Sequence, residues 1–197
     1  MSKLDTLDKL VEDNLGYLKA SEAVDAGISR SYIAEYVKAQ GMERVAEGLY
    51  LASDAWPDGM YVIQARYPQA VFSHETAMYL LDMAEREPTR YTITLKAGTN
   101  VTKLTEEGVK VYKVKRDLFE VGLTEARSPF GHMLRTYNAE RTLCDVIRSR
   151  NNIEIQDFQV AIKEYMQRKD KNIPRLMEYA ELFSVDKIVM RYLEVML

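Results

Sequence analysis

A chain of 197 residues is long enough for one large domain, or for a small one joined to a medium one. Its 47% hydrophobic and 29% charged residues are ordinary for a globular protein, and no apolar run approaches the roughly 20 residues that cross a bilayer. A net charge of −3 argues against indiscriminate nucleic-acid binding, and the single Cys144 excludes an internal disulfide framework. No membrane association and a reducing, cytoplasmic setting are expected, since the run from Met1 to Asp5 lacks the apolar core of a signal peptide.

Leu4, Leu7 and Val11 recur at helical spacing, with Gly16 as the stop. Residues 20–26 read as a second short helix with Ala23 and Val24 turned inward. Gly27, Ile28 and Ser29 make a tight turn, and the Ser29 hydroxyl is placed to accept from the free N–H groups that open the next helix. That helix runs from residue 30 to about residue 40 and stops at Gly41. Ile33, Tyr36 and Val37 form its buried stripe, and Arg30, Ser31, Glu35 and Lys38 face outward. Residues 43–45 and 49–51 read as short strands around a turn at Ala46, Glu47 and Gly48. Residues 52–59, with Trp56 and Pro57, read as a linker, giving a first domain over 1–55 and a second over 60–197.

The second part is mixed. Residues 60–67 look helical and Pro68 ends them. Ser73 is expected to cap a helix reaching Met83, with Glu75 favouring its dipole. Residues 90–96, 109–115 and 120–124 carry the β-branched content of strands. Asn138 is expected to cap a helix over 139–148, with Leu143, Val146 and Ile147 as its apolar side. Three helices follow, the first marked by Phe158, Ala161, Ile162, Tyr165 and Met166. Ile173, Leu176, Met177, Ala180 and Phe183 mark the second. Behind an expected Ser184 cap, Ile188, Val189, Tyr192, Leu193 and Met196 mark the third. The predicted fold class is α+β: an N-terminal winged helix-turn-helix followed by a mixed α/β domain ending in a helical bundle.

Helix, helix, glycine turn, capped helix and two-stranded hairpin within about 55 residues is the winged helix-turn-helix order. Its second helix presents an N-terminal turn to the major groove. Arg30 suits a bidentate contact to guanine O6 and N7, Glu35 an acceptor role toward cytosine N4, and Lys38 a backbone contact. Ser31 and Tyr32 reach base edges or phosphates, Arg44 is the one base on the hairpin, and Lys19 and Ser29 complete the candidate DNA-contacting set. The opposing fact is charge: residues 1–55 hold 6 Lys and Arg against 10 Asp and Glu. Binding to random sequence should be weak, because Lys and Arg supply most non-specific DNA affinity. The other reading is a helical subdomain whose polar face is solvated.

Several signals mimic chemistry. Ser73, His74 and Glu75 are adjacent, but triads are assembled in space, and a capped helix start explains the segment. Cys144 reads as a small buried hydrophobe. His74 and His132 have no metal-ligand spacing, and Arg141 and Asp145, four apart, read as a structural pair. Residues 95–100 lack phosphate-loop spacing, and the paired acids of a nucleotidyltransferase are missing. No catalytic residue, metal or cofactor is therefore expected, and the chain reads as a non-enzyme. Lys96, Lys103, Lys110, Lys113, Lys115 and Arg116 form a basic run. It reads either as a solvated sheet face or as a second contact surface for DNA or an acidic or RNA-bearing partner.

Three stretches resemble AbiEi-type antitoxins, transcriptional regulators of type IV toxin–antitoxin (abortive infection) systems. The first is Gly16-Tyr17-Leu18-Lys19-Ala20-Ser21-Glu22-Ala23 with Gly27-Ile28-Ser29-Arg30-Ser31-Tyr32-Ile33, Gly41 and Gly48-Leu49-Tyr50. The others are Phe72-Ser73-His74-Glu75-Thr76-Ala77 and Arg141-Thr142-Leu143-Cys144-Asp145-Val146-Ile147, in the family's order. The resemblance implies a repressor of its own operon that binds double-stranded DNA at an upstream inverted repeat. It also implies a C-terminal domain that counteracts a co-encoded nucleotidyltransferase-like toxin, without requiring a direct complex. Two departures matter: Lys19 stands where the family often has a capping Thr, and the wing tip carries Ala46 and Glu47 where bases are common. Two other readings stay open: a stand-alone winged-helix transcription factor with a ligand-sensing domain, and a protein-interaction module that binds no DNA.

Overall fold

In the computed structural model, which describes residues 2–196, the chain opens on α1 (Lys3–Asp13) behind a reciprocal cap. The Ser2 hydroxyl accepts from the Asp5 N–H at 3.1 Å, and the Asp5 carboxylate accepts from the Ser2 N–H at 2.8 Å. At its far end the Gly16 N–H donates to the Val11 carbonyl at 2.8 Å, with Leu15 and Gly16 both at positive φ. Gly16 is required there, because an added side chain would collide with Ala55.

The chain continues through β1 (Tyr17–Lys19), α2 (Ala20–Asp25), α3 (Arg30–Ala39), β2 (Glu43–Ala46) and β3 (Leu49–Leu51). The three strands form an antiparallel sheet in the order β1-β3-β2, with Leu18 opposite Tyr50 and Tyr50 opposite Arg44. This is the element order of a winged helix-turn-helix, with β2 and β3 as the wing. β1 lies outside the predicted elements: three residues are too short to show a period, yet Tyr17 and Leu18 are fully buried and tie the sheet to the helices. The core joins Leu7, Leu18, Ala23, Ile28, Ile33, Tyr36 and Met42. Val24 does not share it. One position round from Ala23 on a six-residue helix, its side chain is 41% exposed.

Helix α4 (Gly59–Arg66) is capped by the Asp58 carboxylate, which accepts from the Tyr61 N–H at 3.1 Å. The chain forms two compact units, the first running to Pro68 and including Arg127–His132, the second taking the rest from Gln69. Residues 52–59, read as a linker, therefore lie inside the N-terminal unit, as does α4.

The C-terminal unit carries β4 (Val71–Phe72), α5 (His74–Leu80), β5 (Thr92–Lys96), α6 (Thr102–Glu106), β6 (Lys110–Val114) and α7 (Arg116–Phe119). The hairpin strands β7 (Leu123–Arg127) and β8 (Met133–Tyr137) lead to α8 (Ala139–Arg148), α9 (Ile155–Gln167), α10 (Ile173–Leu182) and α11 (Asp186–Met196). The mixed sheet runs β6-β5-β4-β8-β7, with β4 antiparallel to β5 and parallel to β8. Helix α8 packs on α5, and α9 to α11 pack around α8, in one core that joins Met78, Leu143, Val146, Ile147, Phe158, Tyr165, Leu176 and Val189. The predicted fold class therefore stands: N-terminal helices with a small antiparallel sheet, a mixed five-stranded sheet and terminal helices.

Local expectations fare unevenly. Asn138 caps α8 as expected, accepting from the Arg141 N–H at 3.0 Å. Ser73 stands at the start of α5 but makes no capping bond; its hydroxyl instead accepts from Thr94 Oγ1 at 2.9 Å. Ser184 is not the cap of α11. It takes φ 58° and closes α10, its N–H donating to the Glu181 carbonyl while the Val185 N–H donates to that of Ala180. The strand expected over 120–124 begins at Leu123, because residues 116–119 wind into α7. Met196, expected on the apolar side of α11, has its side chain outside the described residues.

Candidate nucleic-acid interface

The sequence places α3 by its ends and its apolar stripe, and the stripe then decides what faces out. Ser29 Oγ accepts from the Tyr32 N–H at 3.4 Å, a long capping bond, and also meets Ser31 Oγ at 3.2 Å. Ile33 and Tyr36 are buried, and the Tyr36 hydroxyl donates to Asp8 Oδ1 at 2.7 Å, pinning the helix to α1. Burial, with that bond, pushes the phenol pKa up. Arg30, Ser31, Glu35 and Lys38 are all exposed, so the structure brings together on one helix four of the residues singled out from sequence.

Two other candidates are turned back on the protein. Lys19 is half-buried, with its ammonium 3.0 Å from Glu22 and 5.3 Å from the Tyr61 ring centroid. Arg44 folds along its own wing, its Nε donating to the Ala46 carbonyl at 3.4 Å. Tyr32 is half-buried and sits under Lys3, whose ammonium is 5.6 Å from its ring centroid. Lys3 thus adds a cation beside the start of α3 that sequence reasoning missed. Spacing holds no signal for it, since the pairing spans two helices. A groove of about 480 Å³ between α2, the start of α3 and the wing tip is lined by Arg30 together with Asp25 and Glu47. The wing side is therefore not basic.

A buried polar cluster closes the same unit. Asp58 Oδ2 accepts from the Ser128 hydroxyl at 2.6 Å and lies 2.8 Å from His132 Nδ1, while its own N–H donates to the Tyr17 hydroxyl at 2.7 Å. The His132 ring stacks on Tyr61 with centroids 4.0 Å apart. Asp58, Ser128 and His132 each find a partner, so the cluster reads as a fastening for residues 127–132.

The chemistry-like signals resolve structurally. His74 is buried between two hydroxyls, Nδ1 at 3.0 Å from Ser73 and Nε2 at 3.1 Å from Ser149, and stacks on Tyr112. Burial, then the Lys110, Arg141 and Arg148 charges, push its pKa down to about 3, so it is neutral. Glu75 turns away from it toward Lys110, 2.8 Å distant, and no triad forms. Burial pushes the Cys144 thiol up to about 12. Arg141 is fully buried, donating to Asp145 at 3.0 Å and to the Leu118 and Val121 carbonyls at 2.8 Å. No cluster of metal-ligating residues occurs among the described residues, and none of their helices is long and apolar enough to cross a membrane.

The basic run splits. Lys96 pairs with Glu120 at 3.1 Å, and Lys110 is held by Glu75 and the Asn152 carbonyl. Lys103, Lys113, Lys115 and Arg116 are exposed.

No family model matches the sequence, and no curated protein does. Among solved structures the chain is similar to the crystal structure of the RV2827C protein from Mycobacterium tuberculosis, with a TM-score of 0.58 and 14% sequence identity. The match covers 89% of this chain and 70% of that one. At that identity the likeness is one of fold: this chain shares the α+β architecture of the RV2827C protein.

Proposed function

We propose that the protein is a self-regulating antitoxin that represses its own operon through α3 and counteracts a co-encoded nucleotidyltransferase-like toxin through its C-terminal unit. The observation that carries the DNA-reading half is the outer face of α3. A capped helix in a winged helix-turn-helix exposes Arg30 and Ser31 at its first turn and Lys38 at its last, with Lys3 alongside. The antitoxin half rests on the resemblance of the three quoted stretches. The acidic wing tip and the inward turn of Lys19 and Arg44 mean that affinity depends on few contacts, so Arg30 carries specificity and two copies on an inverted repeat share the work.

The test is a titration of the full chain against its own upstream DNA and a scrambled duplex, at two salt concentrations, with Arg30→Ala beside it. Sequence preference lost in Arg30→Ala is the expected result. Equal, weak and salt-sensitive binding to both duplexes would instead favour a protein-interaction module, the reading that the acidic balance of residues 1–55 supports.

A further inference from the structure

The C-terminal unit holds a cavity of about 550 Å³, lined by residues of β6, the start of α7, the end of α8 and the corner between α10 and α11. Its charged lining is Lys113, Lys115, Arg148 and Arg150, with no carboxylate. In a chain of net charge −3 that segregation stands out, and it contrasts with the groove beside Arg30, whose wall includes Asp25 and Glu47. None of the four cations is ion-paired among the described residues. Arg150 is steadied by a bond from Nη1 to the Ile147 carbonyl at 3.1 Å, which orients its guanidinium without cancelling its charge. Four like charges in one recess repel each other and concentrate positive potential, a cost that an anion would relieve.

The rest of the wall has a different character. Leu118, Leu182 and Ile188 supply apolar surface, and Leu182 is 47% exposed. Ser184 and Val185 bring the turn before α11 to the rim, their own N–H groups already donating to the Glu181 and Ala180 carbonyls. Asp186 adds an acid to that turn but does not line the cavity. The volume falls within the range of about 300–1,000 Å³ typical of small-molecule sites.

We propose that this cavity binds a nucleotide, its phosphates held by Lys113, Lys115, Arg148 and Arg150 and its base against Leu118, Leu182 and Ile188. The inference is independent of the DNA-reading role of α3. Calorimetric titration of the full chain with ATP, GTP and inorganic pyrophosphate tests it, using wild type, the Lys115→Gln/Arg148→Gln double variant and Lys103→Gln. Both altered residues are exposed, so folding should survive, and Lys103 is an exposed cation outside the cavity. Saturable binding of a nucleotide, tighter than pyrophosphate, weakened at least about tenfold in the double variant and unchanged in Lys103→Gln, is the expected result. No saturable binding up to about 1 mM would overturn the proposal, as would equal losses in the double variant and Lys103→Gln. Displacement of the nucleotide by random duplex DNA would overturn it too, and assign the cavity to a nucleic acid.

Discussion

Helices α3 and α8 are both ten residues long, and both start behind a side-chain cap, yet they treat charge in opposite ways. On α3 the apolar stripe of Ile33 and Tyr36 is narrow, and Arg30, Glu35 and Lys38 stay in water. On α8 every residue from Ala139 to Ile147 is buried, and Glu140, Arg141 and Asp145 are enclosed with it. Arg141 lies between the Tyr137 and Phe183 rings, about 4 Å from each, its Nε donating to Asp145 and its Nη1 to two carbonyls. The difference teaches where a helix's charges are available: those of α3 are free for a partner, and those of α8 are consumed in holding the fold.

The comparison breaks most sharply at Arg141. Arg141→Met should destabilise the C-terminal unit by about 3–5 kcal/mol in urea unfolding, because Asp145 is left buried and uncompensated. Adding Asp145→Leu should recover much of that loss; no recovery would mean that the pair does not act as a unit. Next comes acid. His74 has its pKa lowered from 6.5 to about 3, so its stabilising neutral form is fully present above pH 6.5 and lost as pH falls toward 3. Unfolding at pH 4.5 should cost about 2–3 kcal/mol less than at pH 7 from this group, and His74→Gln should flatten that slope. On α3 the expected effects move from stability to binding. Arg30→Ala should lose about 1–3 kcal/mol of operator discrimination in a binding titration, while its thermal midpoint stays put. Smallest of all, Lys19→Ala and Arg44→Ala should each change operator affinity by under about 1 kcal/mol, since both heads already have partners in the protein. A larger loss in either would show that DNA draws the side chain out.

The sequence made α3 legible because three local signals agree there: glycines on both sides, a serine cap and one clear apolar stripe. It made β1, β4 and β8 nearly invisible. Strands of three and two residues carry no period, and in Met133–Tyr137 an Arg sits among residues that the sheet buries. The pairing of Lys19 was readable in principle, since Glu22 lies three residues on and draws its ammonium inward. Arg148 and Arg150 were not, because some 30 residues separate them from Lys113 and Lys115, and only the packing of α8 gathers the four. Local chemistry is written locally; a site assembled from distant segments is written only in the fold.

The Asp58, Ser128 and His132 fastening means that the N-terminal unit is discontinuous in the chain. During synthesis its helices and wing emerge first, but the segment that satisfies Asp58 follows only after the intervening residues 69–126 have been made. At roughly 5–20 residues per second that is a delay of about 3–12 s. For that interval the N-terminal unit has a buried carboxylate that accepts from the Tyr61 N–H but lacks its Ser128 and His132 partners. A nascent chain or a truncation ending before residue 127 should therefore hold this unit less firmly than the 197-residue chain does, tying the maturation of the N-terminal unit to translation past residue 132.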